Sequence, residues 1–140
     1  MIEHDGWFPG VTLEEVRDVM RLGTTITDAR LAAAIRAAMM TVTVELRDWK
    51  ARQVAAGYVV LEAVPGDTID WEPANFHLYK RAIGSFAAAD LAETHNDITA
   101  TGEGKDRIEE RVLSADDHRR NGTHAIRDIL GVGRTTVELI

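Results

Sequence analysis

Apolar positions recur along this chain at intervals of three and four, in four stretches separated by turn residues, and that period is the mark of amphipathic helices. The first stretch, Leu13 to Leu22, puts Leu13, Val16 and Met20 on one face; Thr12-Leu13-Glu14-Glu15 forms a capping box before it, and Gly23 stops it. The second is the longest, from Thr27 or Asp28 to Gly57, and carries Leu31, Ile35, Met39, Val42, Leu46 and Trp49. Its β-branched cluster Thr41-Val42-Thr43-Val44 lowers helix propensity by roughly a few tenths of a kcal/mol per residue, so the stripe on either side predicts an unbroken helix. The third, Asn75 to Thr94, sets Phe76, Tyr79, Ile83, Phe86 and Leu91 among the small residues Gly84, Ala87, Ala88 and Ala89, which permit close helix approach. The last, Lys105 to Leu130, aligns Ile108, Val112, Ala115, Gly122, Ile126 and Ile129, with Arg119 intruding on that face and Asp116 and Arg120 spaced to pair.

The segments between are short on period and rich in turn chemistry. An arm with Trp7-Phe8-Pro9-Gly10 precedes the first helix, and Val64-Pro65-Gly66, Asp67, Asp70 and Pro73 interrupt any helix between Tyr58 and Ala74. His95 to Gly104 is a polar loop, a candidate contact or pore loop. Gly131 and Gly133 then lead into Thr135-Thr136-Val137-Glu138-Leu139-Ile140, a β-prone and largely apolar run. Such a run is either a strand that docks on another chain's sheet edge or groove, or a frayed terminus. The pattern therefore predicts an all-α fold, a compact bundle of about four helices, one short and three long. It forms a single domain, with an N-terminal arm at 1–11, a helical core at 12–130 and an extended docking tail at 131–140.

Composition narrows the picture. At 140 residues and 45% apolar content the chain supports one hydrophobic core. The absence of cysteine excludes disulfides, cysteine-based zinc sites and thiol chemistry, and suits a reducing compartment. Residues 1–10 lack the basic and apolar regions of a signal peptide, and no apolar stretch approaches the roughly 20 residues that span a bilayer, so cytosolic synthesis and no membrane are expected. A net charge of -7 speaks against a protein whose main work is gripping phosphates.

No catalytic constellation emerges. Gly102-Glu103-Gly104-Lys105 has Thr99 where a phosphate loop needs its first glycine and Asp106 where it needs a hydroxyl for magnesium. Gly131-Val132-Gly133 lacks the third glycine of a dinucleotide turn and ends a helix instead of opening one. His4, His77, His95, His118 and His124 are scattered, and His118 and His124, six apart, point to opposite sides of a helix. Asp116, Asp117 and His118 are adjacent and so fan around the helix as a solvated face, while Ser85 sits mid-helix without a strand-to-helix elbow. Neither catalytic residues nor a metal nor a cofactor is expected.

Taken in order, other residues carry a resemblance: Trp7-Phe8-Pro9; Met20-Arg21-Leu22; Arg30-Leu31 with Ala34-Ile35; Val44-Glu45-Leu46 and Trp49; Gln53, Gly57, Leu61, Val64-Pro65; Leu78-Tyr79-Lys80-Arg81-Ala82. It continues through Asp97, Ala100-Thr101-Gly102, Glu109-Glu110, Ala115-Asp116-Asp117, Arg119-Arg120, Ala125 to Leu130 and Arg134. On these the chain resembles the phage head completion protein family (GPL type) of contractile-tailed temperate phages. The resemblance implies a non-enzymatic virion protein of the head–tail neck, made in the host cytoplasm, which joins the portal protein after DNA packaging and prepares the head for a further neck or tail-completion protein. It also implies, by analogy with similar connector and adaptor proteins, a homo-oligomeric ring of twelve copies through which viral DNA passes without sequence-specific binding. Under that reading Arg134, Thr135, Thr136, Val137, Glu138, Leu139 and Ile140 are the portal-docking tail. Asp97, Glu103, Asp106, Glu109 and Glu110 are candidates to face the channel, where negative charge lets a duplex slide. Trp7, Phe8, Trp49, Arg119 and Arg120 are candidates for contacts between subunits. Two other classes compete: a helix-turn-helix regulator using Thr27, Asp28, Arg30 and Arg36, and a strand-rich head–tail stopper or terminator.

Overall fold

A computed structural model describes the backbone of residues 1–96 and 102–131 and the side chains of residues 1–94 and 115–131. Its described residues form five α-helices, α1 (Leu13–Met20), α2 (Asp28–Glu45), α3 (Arg47–Ala55), α4 (Ala74–Asn96) and α5 (Gly102–Leu130), a 3₁₀ turn at Leu61–Ala63 and a two-strand hairpin, β1 (Thr68–Ile69) and β2 (Glu72–Pro73). The all-α reading holds. α4 is the central element, with α5 along one side and α2 along another.

The local signals act as expected at most helix ends. Thr12 Oγ1 accepts from the Glu15 amide at 3.1 Å and donates to the Glu15 carboxylate at 2.9 Å, and that carboxylate also accepts from the Thr12 backbone amide, which completes the reciprocal capping box. Thr27 caps α2 through the Arg30 amide. Gly57 and Gly131 follow α3 and α5 with φ of +99° and +74°, the left-handed conformation that glycine adopts without a Cβ penalty. The first helix ends earlier than Gly23 predicts, because Arg21 itself takes the left-handed cap at φ +56°.

The second helix is the main departure. It divides at Leu46, where φ −106° and ψ +9° leave the helical region. The cause lies in the β-branched cluster: the hydroxyls of Thr41 and Thr43 donate to the carbonyls of Ala37 and Met39, at 3.3 and 2.8 Å, and such back-bonding bends helices. The buried Leu46 side chain anchors the joint to the core.

The small residues of α4 do what their size predicts. Ala82, Ala87, Ala88 and Ala89 are buried, and a Cβ placed on Gly122 of α5 would lie 2.8–2.9 Å from the Phe86 ring, so the ring occupies the space that the missing side chain leaves between the two longest helices. The arm closes into a loop through the paired backbones of Ile2 and Val11, at 2.7 and 2.8 Å. Because α4 reaches Asn96 and α5 begins at Gly102, the expected ten-residue polar loop is narrowed; residues 97–101 and 132–140 lie outside the described residues.

Candidate interaction surfaces

The arm is organised around Asp5 and His4. One Asp5 oxygen accepts from the Trp7 and Phe8 amides at 3.0 and 2.9 Å, and the other meets Lys50 of α3 at 2.8 Å. Burial alone would raise the Asp5 carboxyl, but Lys50 and the Phe8 amide outweigh it and hold the group below the usual carboxylate range. His4 stacks on Phe8 and bonds Tyr79 through Nδ1 and Thr43 through Nε2, both at 2.7 Å. Thr43 has one proton and gives it to the Met39 carbonyl, so it must accept from His4. His4 Nε2 therefore carries a proton, and in the neutral ring that burial favours the Tyr79 hydroxyl donates to Nδ1. Burial lowers the His4 pKa, with Asp5 opposing and Lys50 reinforcing, and burial pushes the Tyr79 hydroxyl up.

This geometry decides the fate of three residues expected between subunits. Trp7, Phe8 and Trp49 lie in the protomer's own core, 7%, 2% and 7% exposed. The Trp7 indole meets Trp49 edge-on and donates to the Tyr58 carbonyl at 3.0 Å, while Phe8 stacks on Tyr79. A folded-back arm gave these rings an internal place that spacing alone does not reveal. Arg119 and Arg120 do reach the surface: Arg119 holds Glu93 of α4 and Asp116, and Arg120 holds Asp117. Pairing is thus i,i+3, in place of the expected Asp116–Arg120 bond. Glu103, Asp106, Glu109 and Glu110 fall on the first half of α5, their side chains outside the described residues, as are Asp97 and the tail Arg134 to Ile140.

Two surface features escaped the periodic reading. First, α2 is apolar nearly all round: besides the stripe buried against α4, Ala33, Ala37, Met40 and Val44 form a second, outward stripe, continued on α3 by Ala51 and Val54 around Arg47. Met40, Val44 and Val54 are exposed. The four-and-three spacing was present in the sequence and overshadowed by the stronger stripe. Second, the β1–β2 hairpin turns through Asp70 and Trp71, at φ +52° and +65°, and leaves Trp71 95% exposed.

A cavity of about 590 Å³ opens between α1, α4 and α5, bordered by Val16, Val19, Met20, Lys80, Ser85 and His118. Glu15 and Lys80 pair beside it at 2.8 Å. Burial would raise the Glu15 carboxyl, but bonds from Lys80 and Thr12 hold it below its ordinary value. No hydrogen bond links Ser85 with His118, and among the described residues no group of three His, Asp or Glu could hold a metal. No helix among the described residues is long and apolar enough to cross a membrane.

Comparison with known proteins places this architecture. A family model described as phage head completion protein (GPL) matches residues 2–140. The head completion/stabilization protein of Escherichia phage P2 is 31% identical over 140 residues, covering 100% of this chain and 83% of that protein. No solved structure matches the chain.

Proposed function

The chain belongs to the phage head completion protein (GPL) family, and from that premise we propose that it is a structural, non-enzymatic component of the virion neck. It joins the portal vertex once DNA is packaged, stabilises the filled head and prepares it for tail attachment. The observation that carries this reading is the family match across residues 2–140.

In this reading the protein forms a ring of twelve copies around the DNA channel, in contact with the portal on one side and a further neck protein on the other. Heterologous contacts that close into a ring need two different complementary surfaces on each protomer. The tail from Arg134 to Ile140 docks on the portal, and many copies held together raise a modest affinity per tail through effective concentration. Asp97, Glu103, Asp106, Glu109 and Glu110 face the channel and repel the phosphate backbone.

The test is binding to the purified portal of the same phage, using full-length protein and a chain ending at Gly133, read by cryo-electron microscopy class averages. A ring added only by the full-length chain is the expected result. A ring added by both removes the tail from the account, and a portal left bare by both overturns the neck role. Changing the five acidic residues to Lys is expected to slow DNA ejection; unaltered ejection and phage yield would remove them from the channel wall.

A further inference from the structure

The Asp70-Trp71 turn is strained, and its Trp71 ring buries almost nothing against its own fold. Two-residue hairpins that need positive φ at both positions favour Asn-Gly or Asp-Gly, because in the left-handed conformation the Cβ of other residues crowds the backbone. Asp70 fits that preference; a bulky Trp71 at φ +65° does not. The ring nonetheless stands almost wholly in solvent, with Ile69 also exposed beside it. Strain kept where the protomer gains no burial points to a use outside the protomer. Trp is also the residue type most enriched among interface anchors.

The surroundings specify what it fits. Asp70 and Glu72 stand on either side of Trp71 in the chain and Asp67 at the hairpin's base, and none has an ion-pair partner among the described residues. A complementary receptor is an apolar depression with an unpaired cation at its edge. One lies on α3: an opening of about 470 Å³ walled by Phe8, Thr43, Ala51, Val54 and Ala55, where Arg47 supplies the cation at the edge and Lys50 is already paired with Asp5, which also lines the opening. It continues the outward apolar stripe of α2, so it belongs to a face that lacks a cover. Placement also matters. The base of the hairpin, at Asp67 and Ala74, adjoins Trp49 and Gln53 of α3. At about 100° per residue, Arg47, Ala51 and Val54 project from the roughly opposite side of that helix. The base of the hairpin and the socket therefore lie on opposite sides of α3, which suits the head-to-tail arrangement that successive copies repeat.

We propose that the Trp71 hairpin of one copy seats in the α3 socket of a second copy, between Arg47 and Val54. This rests on the ring reading above and names its subunit contact.

The chain has no cysteine, so introduced thiols are the sole ones present. Copies carrying Glu72→Cys are mixed with copies carrying Val54→Cys, both on portals and in concentrated solution, and mildly oxidised. Disulfides between unlike copies are expected, and adding Trp71→Ala to the Glu72→Cys copies is expected to weaken the contact about thirtyfold, as for truncation of an anchor residue. Circular dichroism of the Trp71→Ala variant should match the parent. Cross-links confined to like copies, a yield indifferent to Trp71→Ala, or no cross-link on portals that carry a ring would overturn the proposal. If wild-type protein adds no ring to portals, the neck role falls, and the solution arm decides the contact alone: unlike-copy disulfides support it and their absence overturns it.

Discussion

The arm and the β1–β2 hairpin are both short, non-helical and tipped with tryptophan, yet they treat it in opposite ways. The arm turns Trp7 and Phe8 inward and satisfies its polar groups as it goes: Asp5 takes two amides, the Trp7 carbonyl accepts from the Leu61 amide, and His4 uses both ring nitrogens. The hairpin turns Trp71 outward on a strained backbone. One segment completes the core and the other is left over from it. Residue type does not separate them; what separates them is whether neighbouring helices offer a wall, as α2, α3 and α4 do for the arm.

The sharpest way to break this contrast is to truncate each side. Phe8→Ala should lower stability by about 3–5 kcal/mol, the usual result of emptying an aromatic site in a core, measured by urea unfolding. A loss below 1 kcal/mol would mean that the arm is an ornament on the bundle. Next in size, Tyr79→Phe removes the proton donated to His4 Nδ1 and should cost about 1–2 kcal/mol in the same assay.

The acid limb is smaller and has a definite sign. The His4 pKa is lower in the folded chain than in the unfolded one, so its contribution is fully present above the ordinary histidine value and fades as pH falls through the depressed one. Amide exchange of residues 2–11 should therefore accelerate, relative to α4, as pH drops below about 6.5. His4→Gln should abolish that pH step, leaving only the later losses from Asp5 and Glu15 below the ordinary carboxylate range. The smallest effect belongs to the hairpin. Trp71→Gly suits φ +65° and should change unfolding free energy by no more than about 1 kcal/mol, in the stabilising direction, when followed by thermal melts.

Much of the fold could be read from spacing. The capping box at Thr12 and Glu15, the helix stops at Gly57 and Gly131, and the small-residue approach around Gly122 and Phe86 are local or periodic properties, and the chain states them directly. The break at Leu46 was less visible, because the propensity cost of Thr41 to Val44 is small and the bend comes from hydroxyls that choose backbone carbonyls in three dimensions. The inward course of the arm was hidden for a related reason: contacts such as Trp7 with Trp49 or His4 with Tyr79 join positions far apart in sequence. Trp71 was visible as a letter, but its exposure depends on a turn conformation that most sequences would reserve for glycine. Of the expected subunit contacts, the aromatic ones moved into the core and the arginines stayed at the surface.

The ion pairs of the protomer carry a different lesson. Arg17–Asp28, Lys50–Asp5, Lys80–Glu15, Arg119–Glu93 and Arg120–Asp117 all keep appreciable solvent exposure on both partners. Pairs of that kind contribute little to folding and are readily screened. Ionic strength is then a selective lever: added salt leaves the protomer's core-driven stability nearly untouched while weakening any contact between copies that relies on acids meeting bases. Folding is therefore insulated from a solvent change that would reach any charged contact with another chain.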